Sequence, residues 1–276
     1  MSDHADESTN RSLWERVDTS VAHPARRYDY WLGGKDNFAA DRESGDRIAA
    51  AFPQVRTGAI ENRNFLRRAV SYLAGEAGID QFLDIGTGIP TSPNVHEIAQ
   101  SLIPAARVAY ADNDPIVLTH ARALLTSSPD GVTTYLDADL RRPQDIMTHP
   151  DLAATLDLSR PVALILVAVL HFVPEEGDPY RIVDQLVGGL ASGSYLVVSH
   201  GTGDFLPSAQ AVRGQRLLAA EGVYLRDRAQ VARFFHGLEL IPPGIVATSE
   251  WRAENEPKPR PLPVETGFYG VVGRVP

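Results

Sequence analysis

The sequence predicts an α/β protein: a doubly wound, mostly parallel sheet ending in an antiparallel C-terminal strand, preceded by an N-terminal helical extension. Three observations predict it. Between residues 81 and 200, short apolar runs alternate with segments of helical period, the order of strand–helix–strand units joined by right-handed crossovers. Three of the helices open on Ser92-Pro93, Asp114-Pro115 and Asp178-Pro179, each a capping side chain followed by a proline that needs no backbone donor. The run from Pro161 to Phe172 is apolar almost without interruption, as a central parallel strand covered on both faces should be.

Composition narrows the class of protein. At 276 residues with 43% hydrophobic and 22% charged content, the chain can bury a substantial core as one large domain with additions. A net charge of -9 argues against a general nucleic-acid binder. The absence of cysteine excludes disulfides, thiolate nucleophiles and cysteine-based zinc sites, and no metal site is expected. No apolar stretch approaches the roughly 20 residues that span a bilayer. Residues 1–12 are polar and resemble neither a secretory signal nor a transit peptide, so a cytoplasmic location is the expectation. The expected organisation is a disordered tail over 1–20, a helical lid or extension over 21–78, and the sheet domain over 79–276.

In chain order, the segment from Pro24 to Phe38 concentrates aromatics, charges and Gly33-Gly34. It reads either as a helix capped at the glycine pair, with Tyr28, Trp31 and Leu32 inward, or as a lid whose rings and amides line a pocket. Gly34-Lys35 is no phosphate loop, because Asp29 stands where the first glycine is required and Asp36 where Ser or Thr is. Helices follow over 41–51 and 57–74, the second with Leu66, Ala69, Val70 and Leu73 on one face. Asn62, Arg63 and Asn64 in that helix are either a solvated face or part of a site.

The first strand, Gln81 to Ile85, runs into Gly86-Thr87-Gly88-Ile89-Pro90-Thr91, and a helix starting at Pro93 buries Val95, Ile98, Ala99 and Leu102. Glycines at 86 and 88 permit a sharp turn and close approach of a ligand, and Asp84 offers acceptor oxygens beside it. About two dozen residues on, the strand Arg107 to Ala111 ends in Asp112-Asn113-Asp114, at the spacing where a carboxylate receives both hydroxyls of a ribose. A helix from Pro115 turns Val117, Leu118, Ala121, Leu124 and Leu125 inward, and a third strand, Val132 to Leu136, ends in Asp137-Ala138-Asp139-Leu140. One of these two carboxylates is a candidate partner for a purine amine.

The central strand is expected to terminate in His171, facing the crevice where open α/β sheets bind ligands. A helix with Ile182, Val183 and Leu186 inward and a fifth strand, Ser194 to Ser199, complete the alternation. Beyond it, helices over 207–220 and 226–235, a strand over 244–248, a proline-rich loop and a last strand over 268–275 close the chain. The glycine turn and acidic strand end also fit part of a dinucleotide site, but Gly86 to Thr91 lacks the last glycine of that fingerprint.

These residues resemble class I S-adenosylmethionine-dependent methyltransferases. More closely, Arg27 to Phe38, Phe82 to Thr91 with Asn94-Val95-His96, and Tyr110 to Pro115 resemble the actinobacterial S-adenosyl methyltransferase family once catalogued as a domain of unknown function, from about residue 20 to the C-terminus. The resemblance implies a Rossmann-like methyltransferase sheet. It implies that Asp84, Gly86, Thr87 and Gly88 surround the methionine part of the cofactor, Asp112 takes the ribose hydroxyls, Asn113 lies beside the adenine, and Asp139 and Leu140 bracket its edge. Ala168 would pass under the sulfonium. Pro90 departs from the broader superfamily, which often has a third glycine. The expected activity is methyl transfer to a small-molecule acceptor, with His171 a candidate base, Tyr28 a second catalytic candidate, and Tyr30, Gly34, Lys35, Asn37, Phe38, Asn62 and Arg63 in or beside the lid. A non-catalytic cofactor-binding module and an NAD-linked oxidoreductase are the competing readings.

Overall fold

The computed structural model describes residues 17–124 and 126–276. Residues 1–16 of the expected tail, with Leu125, lie outside the described residues, as do the side chains of Ala121 and Leu124. Three helices lead: α1 (Pro24–Trp31), α2 (Ala39–Ala51) and α3 (Val55–Gly75). The alternating body is β1 (Gln81–Ile85), α4 (Val95–Leu102), β2 (Arg107–Asp112), α5 (Pro115–Leu124), β3 (Val132–Asp137), α6 (Pro143–Met147), α7 (Pro150–Thr155), β4 (Ala163–Val167), α8 (Pro179–Val187) and β5 (Tyr195–Gly201). The chain finishes with α9 (Ser208–Ala220), α10 (Arg228–Arg233), β6 (Glu239–Leu240), β7 (Val246–Ala247), α11 (Pro263–Thr266) and β8 (Phe268–Arg274).

The strands form one sheet in the order β3-β2-β1-β4-β5-β8-β6, with β7 also paired to β8. β1 to β5 are parallel, and β8 enters antiparallel, Val197 opposite Val272. Strand order reverses between β1 and β4, so their loops part there and leave a crevice at the carboxyl edge. Successive residues of each central strand feed opposite cores: Leu83, Leu164 and Leu196 pack with Ile182 and Leu186 of α8, whereas Phe82, Ile165 and Val197 pack with Phe65, Leu66, Ala69 and Leu73 of α3. Burial on both faces is why these strands are continuously apolar. α3 is therefore one of the helices that cover the sheet. Phe65 and Tyr72 meet the fully buried Trp251 edge to face, at centroid separations of 5.5 and 6.0 Å.

Two local expectations are corrected. The helix expected from Pro93 begins at Val95, because the Asn94 N–H goes to Glu97 Oε2 at 2.5 Å and the Thr91 and Pro93 carbonyls face the Arg63 guanidinium. The central strand expected to reach His171 stops at Val167: Ala168 takes a left-handed φ of 55°, and Leu170–Phe172 forms a single 3₁₀ turn. His171 thus sits on a turn beyond the strand.

Candidate active site

A cavity of about 420 Å³ lies over the carboxyl ends of β1 to β4, within the roughly 300–1,000 Å³ of small-molecule sites. Its floor is the turn after β1. Gly86 and Gly88 both have positive φ, +74° and +69°. A Cβ on Gly86 would lie 2.4 Å from Val169 Cγ2, so the loop after β4 closes on the turn too tightly for a side chain. Thr87 Oγ1 donates to the Asp84 carbonyl at 3.0 Å and the Gly88 N–H to Asp112 Oδ2 at 2.9 Å, locking turn and carboxylate together.

Asp84 and Asp112 face the cavity in different states. Asp84 is buried as a residue, 6% exposed, and its carboxyl makes no hydrogen bond among the described residues. Burial, with Asp112 nearby, pushes it up to about 7 against the pull of Arg63. Such an orphaned carboxylate needs a cation or a donor. Asp112 instead holds the Gly88 and Asp114 N–H groups, one on each oxygen at 2.9 Å, and retains a lone pair on each for a diol. Burial raises its pKa too, against those two N–H groups. Asp114 turns away: Oδ1 accepts the Ile116 N–H, and Oδ2 lies 2.9 Å from His23 Nδ1 and 3.4 Å from Arg26 Nε. That cluster ties the N-terminal segment to the Asp112 loop.

Asn113, Ala138, Asp139 and Leu140 line the adjoining wall. Asp139 accepts from Arg141 Nε at 2.9 and 3.0 Å; burial raises its pKa, and the Arg141 contacts outweigh this and hold it below the usual carboxylate range. Asn113 Nδ2 reaches Asp139 Oδ2 at 3.4 Å. Ala168 lines the cavity as well, its N–H on Ser199 Oγ at 2.9 Å.

α1 lies against the cavity with Arg27, Tyr28 and Trp31, followed by Leu32 at its end, and α3 contributes Asn62, Arg63 and Leu66. Tyr28 donates to the Ala59 carbonyl at 2.9 Å and accepts from Asn62 Nδ2 at 3.0 Å, and burial raises its pKa, so its hydroxyl is ill suited to proton transfer. Tyr30, Gly34, Lys35, Asn37 and Phe38 do not line the cavity. Tyr30 turns its hydroxyl to Asp46 Oδ1, at 2.8 Å. Phe38 packs with Ile89, Ile116 and Val117. Gly34 to Asn37 wraps around Asp29, whose Oδ2 accepts the Asp36 N–H at 3.0 Å and Asn37 Nδ2 at 2.8 Å. A Cβ on Gly34 would stand 1.9 Å from Asp29 Oδ1. Gly34→Ala is therefore expected to cost about 1–3 kcal/mol by overpacking; an unchanged melting temperature would show that Asp29 can swing aside.

His171 lines the far end of the cavity, 5% exposed. Burial first, then His200, Arg27 and Arg226, hold its pKa well below the usual histidine value, so the ring is neutral and a poor base. Arg226, which sequence reading had no signal for, brackets its turn: Nη1 donates to the Leu170 carbonyl at 3.2 Å and Nη2 to the Val173 carbonyl at 2.9 Å. At this end the lining is rich in apolar groups, with Trp31 from α1, Ile48 from α2, Phe52 just beyond it, Leu218 from α9, and Phe172 and Phe268, alongside Arg27 and Thr202. Phe52, just past the end of α2, and Leu218, on α9, had no sequence signal either, because the two pack together from far apart in the chain.

A parallel sheet with an antiparallel strand inserted beside β5, and a glycine turn between two carboxylate-ended strands, define a Rossmann-like methyltransferase. The chain belongs to the S-adenosyl methyltransferase family, whose model matches residues 10–276. It is similar to a DUF574-family protein of known structure from Streptomyces avermitilis, with 48% identity, 95% of this chain and 100% of that one covered, and a TM-score of 0.87. It is also similar to a candidate methyltransferase from Thermobifida fusca, with 42% identity, 94% and 96% coverage and a TM-score of 0.85. A search of curated proteins finds no match. The cofactor is accordingly S-adenosylmethionine rather than NAD. Among the described residues no group of His, Asp and Glu is arranged to hold a metal, and no helix is long and apolar enough to cross a membrane.

Proposed function

We propose that the protein transfers a methyl group from S-adenosylmethionine to a small-molecule acceptor bound in the apolar end of the same cavity. The observation that carries this reading is the continuity of one cavity from the Asp84 and Asp112 carboxylates to the chamber around Trp31, Phe52 and His171. S-adenosylmethionine supplies a methyl already activated on a sulfonium. Asp84 suits its ammonium, since an orphaned buried carboxylate gains most from a cation. Asp112 suits the ribose hydroxyls; Asn113, Asp139 and Leu140 form the adenine wall; and Ala168, held by Ser199, lies under the reacting atoms. The remaining task of the chain is to align the acceptor and exclude water, which α1 does by covering the cavity. Tyr28, Asn62 and Arg63 shape the covered site, and no base role is assigned to Tyr28 or His171.

Calorimetric titration with S-adenosylmethionine and S-adenosylhomocysteine tests the reading. Micromolar binding is expected, weakened in Asp112→Ala by about tenfold or more, the equivalent of roughly 1.4 kcal/mol. Absence of binding, or indifference to Asp112→Ala, would sink it. Transfer of label from radiolabelled cofactor to small molecules of a cell extract then distinguishes an enzyme from a module that only binds the cofactor.

A further inference from the structure

His171 has a property that methyl transfer alone does not require: among the described residues neither ring nitrogen has a hydrogen-bond partner. Nδ1 is fully enclosed, on the Gly201 side of the ring, where a Cβ built on that glycine would stand 3.9 Å away. Nε2 is not enclosed, and since the residue is buried except toward the cavity, Nε2 opens there. A neutral imidazole must place its proton on one of the two. A buried N–H without a partner is rarer and more costly than a buried lone pair without one. The proton therefore belongs on Nε2, and the ring presents an N–H donor to the cavity.

The neighbouring histidine does not alter this. His200, whose ring lies 5.7 Å from His171, bonds the Gly201 carbonyl through Nδ1 at 2.8 Å and meets Arg226 Nη1 through Nε2 at 2.9 Å, so it offers His171 nothing. Two carboxylates of this region are engaged elsewhere: Glu221 by Ser44, Arg27 and Arg47, and Asp29, through Oδ2, by Asp36 and Asn37. At His171 itself an oxygen lone pair finds a free donor in Nε2–H.

Resting on the methyltransferase reading above, we propose that the acceptor is an apolar, ring-bearing molecule carrying an oxygen that accepts a hydrogen bond from His171 Nε2–H. His171 is then a specificity-determining residue that positions the acceptor. The rings of Trp31, Phe52, Phe172 and Phe268 take the apolar body, and the donor sets which edge of it faces inward.

The test uses the full chain saturated with S-adenosylhomocysteine, with 1-naphthol and naphthalene as probes. Naphthol is expected to bind tighter by roughly tenfold, the value of one hydrogen bond in a dry site. The preference should vanish in His171→Phe and persist in His171→Gln, whose amide keeps a donor at similar reach. Nitrogen-15 NMR of labelled histidine should show His171 protonated at Nε2 and bare at Nδ1. S-adenosylhomocysteine binding with no naphthol preference, a preference that survives in His171→Phe, or a proton found on Nδ1 each overturns this inference and leaves the methyltransferase reading standing. Failure to bind S-adenosylhomocysteine removes both.

Discussion

Asp84→Asn is expected to stabilise the free protein while weakening its grip on the cofactor. The Asp84 carboxyl titrates at about 7 in the folded chain, against an ordinary value of 3.8. Between these values the folded state binds more protons than the unfolded one, so this group makes stability fall as pH rises from about 4 to about 7. Below that window both states are protonated and nothing is lost; above it the full cost of a buried, unpaired anion is present. Asparagine carries no charge and removes the cost. The melting temperature of the free variant should therefore match the parent near pH 4 and exceed it at pH 8, by roughly 2–4 °C for each kcal/mol recovered. Cofactor affinity should move the other way. In the parent it should climb with pH through about 7 as the carboxylate forms, and in the variant it should be flatter and weaker by roughly 10–100-fold. Equal melting temperatures at pH 8 together with equal affinities would mean that Asp84 is neither orphaned nor used.

Gly86→Ala is expected to be strongly damaging to the cavity floor. Two independent effects coincide there. The backbone φ of +74° is unfavourable for any L side chain, costing roughly 1–2 kcal/mol. The added Cβ would also stand 2.4 Å from Val169 Cγ2 and 2.8 Å from Val169 Cβ, pushing the β4 loop off the turn. If Gly86 is the floor of the cofactor site, as proposed, with Val169 packed against it, affinity for S-adenosylhomocysteine should fall by about a hundredfold or more. Gly88→Ala separates the two effects. That glycine shares a positive φ, +69°, but nothing stands within 4 Å of its Cβ, so a milder loss is expected. Pairing Gly86→Ala with Val169→Ala should restore the steric part only. If Gly86→Ala and Gly88→Ala behave alike in calorimetry and thermal melts, contact with Val169 is not what makes position 86 special.

That Asp84, Gly86, Gly88 and Asp112 would share one cavity was legible because the pattern is local. Asp84, Gly86 and Gly88 lie within five residues, and Asp112 ends the neighbouring strand at a spacing set by one strand–helix–strand unit. The N-terminal motif was legible as a motif but not in its physical role. Its residues allowed either a glycine-capped helix or a lid; the helix forms over Pro24–Trp31, Tyr30, Lys35, Asn37 and Phe38 do not line the cavity, and Gly34 admits the Asp29 carboxylate. Which side of a short helix meets the cavity depends on what the helix packs against, and one turn of sequence does not carry that information.

Alternating strands, the order of carboxylates and glycines, and the absence of cysteine were determined by the sequence itself, because period, capping and backbone permissiveness act over a few residues. The tertiary structure alone decided three things: that β4 ends at Val167 so that His171 stands on a turn, that Arg226 comes from 55 residues away to hold that turn, and that α1, α2 and α9 enclose one apolar chamber. Each depends on groups distant in the chain meeting in a space from which water is excluded. There an unpaired nitrogen or carboxylate becomes costly enough to demand a ligand.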